Sequence, residues 1–241
     1  VRSTDRGATW SAPIRVAAYE PAGAKDPSTR VPIRDGTPIA AIAAGRDGSL
    51  CVAWQDARIS PDPGRDDVLL ARSSDGGLTW STPVRVNGAP GKTAFAPQVH
   101  VAADGTIGVT YFDLRNDTVA RDTLLADYWL AHSSDGVTWT EAHVAGPFDL
   151  ATAPFAGGYF LGDYMGLTSA GDRFLVLYTR TTGDPGNPTD VHVARVATAA
   201  PGTIYTAVEA KAVREDAAGR RRVSEALRAA LERRAADRGM R

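Results

Sequence analysis

The sequence predicts an all-β protein built from repeated four-stranded units, followed by a helical tail. Three observations carry this. Glycine is abundant at 24 residues and proline stands at 15, which favours many turns over long helices. One short motif recurs three times. Aromatic residues stop at Tyr205.

The repeat comes first because it fixes the register of everything else. Ser3-Thr4-Asp5-Arg6-Gly7-Ala8-Thr9-Trp10 matches Ser73-Ser74-Asp75-Gly76-Gly77-Leu78-Thr79-Trp80. Ser133-Ser134-Asp135-Gly136-Val137-Thr138-Trp139 is a third copy, one residue shorter. The aspartates are 70 and 60 residues apart, room for four strands and their loops per unit. An aspartate accepts backbone N–H groups in a tight turn, glycine supplies positive φ, and tryptophan buries a large ring nearby. Short apolar runs flank each turn, as in Val68–Arg72 and Thr82–Val86, so each copy reads as a β-hairpin.

The motif resembles the Asp-box, or BNR repeat, of sialidases and related β-propellers. The resemblance implies a six-bladed family in which the turn joins the third and fourth strands of a blade. Placed in that register, the chain yields an incomplete arc of about 3.5 four-stranded blades. The first blade keeps only its turn and an outer strand near Ala12–Val16. The second has strands near 37–44, 50–56, 67–73 and 82–87. The third has strands near 96–103, 106–113, 127–133 and 141–145. The fourth has strands near 164–169, 173–180 and 190–197, with a degenerate outer strand over 198–205. The propeller portion is expected to be 1–205, and the chain reads as a fragment lacking its first blades.

Residues 209–241 carry ten Lys/Arg and six Asp/Glu, net +4. Strong helix formers and the stripe Val223, Leu227, Leu231 predict a helix over about 215–238 within a loosely attached 206–241 tail. A solvated surface helix, an out-of-frame read-through and an Arg-rich partner-binding helix all account for it.

Net charge is −1, which removes the global electrostatic case for nucleic acid or an anionic membrane. No apolar run approaches the ~20 residues of a membrane span. The lone Cys51 excludes a disulfide framework. The four histidines lack metal spacing, and the aspartates of loops 59–67 and 114–127 read as solvated rather than as a calcium site. No metal or cofactor is expected.

The face opposite the repeated turns holds the candidate chemistry. The second strands end in Trp54-Gln55-Asp56-Ala57-Arg58, Tyr111-Phe112-Asp113-Leu114-Arg115 and Tyr178-Thr179-Arg180. Read this way, an arginine recurs at one position in three blades, with Asp56 and Asp113 two residues before it in two of them. Connecting loops add Arg34-Asp35-Gly36 and Phe160-Leu161-Gly162-Asp163-Tyr164. Guanidinium forks suit a carboxylate. The sialidase resemblance implies that Arg58, Arg115 and Arg180, with Arg34 nearby, hold a sugar carboxylate. It makes Tyr164 the candidate nucleophile and Asp35 or Asp163 the candidate acid/base. Each Asp-x-Arg pair reads equally as an internal ion pair. The family's early Arg-Ile-Pro order is not matched by Val31-Pro32-Ile33-Arg34. Of the two glutamates in the propeller portion, Glu20 could reach this face, and Glu141 is expected near the other one. Two functions follow. One is a secreted or cell-surface hydrolase of terminal sialic acid or a similar acidic sugar. The other is a non-catalytic propeller that binds glycan or protein.

Overall fold

The computed structural model describes residues 1–118, 122–197 and 208–211. The chain divides into two compact units, Val1–Ala210 and Lys211–Arg241. Apart from Lys211, the second unit lies outside the described residues, and so does the expected 215–238 helix.

The first unit is all-β, a propeller arc of three four-stranded antiparallel sheets in which chain neighbours pair. Sheet one is β1 (Ala41–Ala44), β2 (Leu50–Asp56), β3 (Asp67–Ser73) and β4 (Val84–Arg85). Sheet two is β5 (Ala94–Val101), β6 (Ile107–Asp113), β7 (Leu125–Ser133) and β8 (Thr140–Asp149). Sheet three is β9 (Gly166–Ala170), β10 (Arg173–Asp184), β11 (Asn187–Ala197) and β12 (Val208–Lys211). The first strand of sheet two packs against the first strands of the other two sheets, which sets the sheets as blades around an axis.

Side chains alternate across each strand, so each sheet has two faces. Ala53, Val68 and Leu70 of sheet one are buried against Val99, Val109 and Tyr111 of sheet two. Phe112, Tyr128 and Leu130 on its other face meet Phe174, Val176 and Tyr178 of sheet three. The Tyr128 and Tyr178 rings stack at 4.9 Å.

The three repeated turns share one hydrogen-bond network. Asp75 accepts the amides of Leu78 and Thr79, each at 2.9 Å, and the Thr79 hydroxyl at 2.5 Å. Asp5 takes the Thr9 amide and hydroxyl, and Asp135 takes the amides of Val137 and Thr138. These bonds hold Asp5 down at about 2, first through the Thr9 hydroxyl, and hold Asp75 and Asp135 well below the usual carboxylate range. Gly76 has φ 70°, and Arg6 takes the same place in the first turn at φ 60°, a strained conformation for a residue with a Cβ.

Several expectations are corrected. Residues 12–16 form no strand, and without a sheet behind it Trp10 is 62% exposed. β4 shrinks to two residues. Pro83 has no N–H, and beyond Arg85 the Val68 amide donates to the Asn87 side chain instead of to backbone. The fourth strand of sheet three is Val208–Lys211, whereas 198–205 lies outside the described residues. Asp66, Asp67 and Asp127, read as solvated, are fully buried. Among the described residues no helix is long and apolar enough to cross a membrane.

Candidate functional site

The strand register separates the three arginines. Asp56 lies opposite Asp67, Asp113 opposite Asp127, and Arg180 opposite Asp190. Arg180 therefore stands level with Asp56 and Asp113, two residues short of Arg58 and Arg115. The recurring position joins two sheets, not three.

Each arginine is engaged within its own sheet. Arg58 Nε donates to Asp56 at 2.8 Å. Asp56 is fully buried and also accepts the Trp54 indole at 3.0 Å. Burial pushes the Asp56 carboxyl up, but bonds from Arg58, Trp54 and the Glu20 amide outweigh it and hold the group below its ordinary value. Arg115 Nε donates to Asp113 at 2.5 Å, its Nη1 and Nη2 to Glu141 at 2.8 and 2.9 Å, and its guanidinium lies 3.8 Å over the Trp129 ring. Deeper burial leaves Asp113 above its ordinary value despite Arg115. Arg180 Nε donates to His192 at 3.3 Å. Glu141 stands opposite Ala131 near the turn end, as expected, and its side chain binds Arg115 and the Tyr111 hydroxyl and accepts the Gly88 amide of the β4–β5 connection.

Asp35 is buried, with its carboxylate committed to the Ala24 amide at 2.7 Å, the Thr37 amide at 3.0 Å and Gln55 Nε2 at 2.6 Å. Gln55 also reaches Asp66, which caps the Ala22 and Gly23 amides. Burial, aided by the nearby Asp35 charge, pushes the Asp66 carboxyl up. This cluster fastens the 22–24 segment over the end of β2.

A different set does converge. Arg34 Nη2 and Nε meet Asp163 at 2.9 and 3.2 Å, and the Arg34 guanidinium sits 4.4 Å from the Phe160 ring centre. The segments leading into β1 and β9 are zipped together here. The Arg34 amide donates to the Tyr159 carbonyl, and the Tyr159 amide to the Pro32 carbonyl. Gly158 permits this approach: a Cβ there would lie 2.6 Å from the Arg34 nitrogen. Tyr164, next in the chain, is 75% exposed, and Ile39 is also exposed. Because Leu50 pairs with Ser73 at the turn end of sheet one, the chain leading into β1 lies at the opposite end. Among the described residues, Arg34, Asp163 and Phe160 form an ionic and aromatic patch on that face, with the exposed Tyr164 next to Asp163 in the chain. Asp163 can accept sugar hydroxyls, the Arg34 fork can donate, and the rings offer apolar platforms.

Sequence reasoning missed Gln55, Trp129 and Tyr111 as partners of these groups, and missed Phe160 as the ring beneath Arg34. The fold and this patch define a class: a bladed β-propeller arc with an ionic and aromatic surface opposite its repeated turns. No family model and no curated protein matches the sequence. Among solved structures, the chain is similar to a Hadza microbial sialidase at 18% identity and TM-score 0.43, covering 70% of this chain and 36% of that one. It is similar to an α-L-arabinofuranosidase from Fusarium graminearum at 17% identity and TM-score 0.48, covering 73% and 47%. It is also similar to an α-L-arabinanase from Penicillium chrysogenum at 16% identity and TM-score 0.46, covering 74% and 51%. The chain spans about half or less of the length of each.

Proposed function

We propose that this chain supplies the sugar-engaging surface of a glycoside-hydrolase-like propeller acting on a terminal acidic sugar such as sialic acid. One observation carries the reading: Arg34 and Asp163, 129 residues apart, meet as a two-point ion pair beside the exposed Tyr164. On this reading Arg34 grips the substrate carboxylate, displacing Asp163. Asp163, freed from Arg34 and protonated from solvent, gives that proton to the departing glycosidic oxygen while the Tyr164 oxygen, losing its proton to solvent, bonds to the anomeric carbon. A water deprotonated by Asp163 then replaces the tyrosine, which takes back a proton from solvent. A secreted or cell-surface location accompanies this reading.

A second reading, a glycan- or protein-binding module without turnover, is favoured by the engagement of Arg58, Arg115 and Arg180 within their own sheets. No carboxylate partners the Tyr164 hydroxyl among the described residues. The Asp-box resemblance accommodates both readings.

A fluorogenic sialoside, an α-L-arabinofuranoside and free sialic acid separate the two. The hydrolase reading expects sialoside turnover that Tyr164→Phe abolishes while sialic acid still binds. The module reading expects binding without turnover, lost in Arg34→Ala. Absence of both sinks both, and turnover of the arabinoside alone removes the acidic-sugar assignment.

A further inference from the structure

Arg72 joins two of the repeated turns. Its Nη1 donates to the Asp135 carbonyl at 2.6 Å. Its side chain lies so close to the third turn that a Cβ at Gly136 would fall 2.6 Å from the Arg72 Cδ. Its backbone is fixed as well. The Arg72 amide donates to the Ser81 hydroxyl at 3.0 Å, and the Ser81 amide donates to the Arg72 carbonyl at 2.8 Å. Arg2 repeats the arrangement one turn earlier, with the same two bonds to Ser11 and its guanidinium against Gly76. An arginine strut therefore sets the spacing of consecutive turns.

Beside the Arg72 strut a groove of about 640 Å³ opens between the second and third turns. Its walls belong to sheets one and two, which follow one another, so it lies within the arc and not at either end. Trp80 packs on the cluster of Leu69 and Ala71 and also lines the groove, so its ring is held in place. Val84 and Val137 add apolar wall, and Ser74, Ser81 and Thr82 add hydroxyls. Among the described residues the Ser74 and Thr82 hydroxyls make no hydrogen bond. The ionised groups here already have partners. Arg72 holds the Asp135 carbonyl, and the Asp135 carboxylate accepts Ser133, Val137 and Thr138. Asp75, in the second turn, accepts Ser73, Leu78 and Thr79.

A fixed indole with apolar flanks suits the C–H face of a sugar ring, and unused hydroxyls suit its O–H edge. With every charge engaged, nothing in the groove calls for an ionic ligand. We propose that this groove binds a neutral sugar unit of a glycan, on the face opposite Arg34 and Asp163. The inference does not depend on the reading of that pair.

NMR titration of the full chain with lactose, N-acetyllactosamine, cellotriose, mannotriose and arabinotriose tests it. At least one of these is expected to bind saturably with a Kd of about 1 mM, shifting the amides of Ser74, Ser81, Thr82 and Val137 most. Trp80→Ala is expected to weaken that sugar by at least about tenfold. Because Trp80 also supports sheet one, a second variant carries Ser74→Ala with Thr82→Ala, both at exposed positions. It is expected to weaken the sugar by about threefold or more with an unchanged melting temperature. The proposal is overturned if none of these sugars binds below about 10 mM, if the shifts centre on Phe160, Asp163 and Tyr164 instead, or if the double variant binds as tightly as the wild type.

Discussion

Arg115 grips Glu141 through both terminal nitrogens, at 2.8 and 2.9 Å, while Glu141 accepts the Gly88 amide of the β4–β5 connection at 2.7 Å. The pair therefore ties sheet two to the segment that enters it from sheet one. Both side chains are 17% exposed, so loss of the carboxylate charge leaves a partly buried guanidinium with Asp113 as its one carboxylate partner. Glu141→Gln keeps an acceptor for Gly88 but removes the ion pair. It is expected to lower unfolding free energy by about 2–3 kcal/mol, measured by urea denaturation. An unchanged midpoint would show the pair to be energetically idle.

That relationship explains what was legible in the sequence and what was not. The turn motif fixed hairpin positions, and β2 and β3 fall on the expected residues, because local spacing determines them. Glu141 could not be placed in the same way. Its row in β8 lies near the turn end, and the long Arg115 side chain reaches it by folding back over Trp129. Arg180 reads out of register because β10 runs on past Thr179-Arg180 to Asp184 without an Asp-x-Arg pair to mark the level. Only strand pairing set its level. Arg34 and Asp163 were each named, but their meeting depends on two connecting segments zipped by backbone bonds, which no periodicity reveals.

The repeated turns should be acid-sensitive in a defined direction. Their carboxylates are held below the ordinary value in the folded chain, so their contribution is present above about pH 4 and is lost as pH falls through the folded value. For Asp5 that value is about 2. The amide resonances of Thr9, Thr79 and Thr138 are expected to hold their positions on acidification to about pH 3 and to move below it. Movement centred at the ordinary aspartate value would mean that the Thr and Ser hydrogen bonds are not maintained in solution.

Gly108 lies directly beneath Phe174 at the contact of sheets two and three. A Cβ there would come within 2.5 Å of the ring, and Phe174 is 1% exposed with no room to retreat. Gly108→Ala is expected to cost about 1–3 kcal/mol by overpacking. Phe174→Leu in the same chain should recover part of the loss, since it removes the clashing ring atoms. Thermal melts of the two single variants and the double variant check this. Additive losses would place the strain elsewhere.

The Arg34–Asp163 pair allows a functional role to be separated from a structural one. The Arg34 and Asp163 side chains are 45% and 27% exposed, so their ion pair contributes only about 0–1 kcal/mol to stability. Asp163→Asn should leave the melting temperature nearly unchanged while releasing Arg34 from its carboxylate. An anionic sugar no longer competes with Asp163 for the guanidinium, so its affinity is expected to rise, by about tenfold for one charge-assisted contact. A neutral sugar gains nothing and loses an acceptor. Arg34→Ala should weaken the anionic sugar by at least about tenfold, again without a stability change. Calorimetric titration of sialic acid and a neutral monosaccharide into the three proteins reads all of this. If Asp163→Asn weakens both sugars equally, Asp163 is the principal ligand and Arg34 serves only to hold it in place.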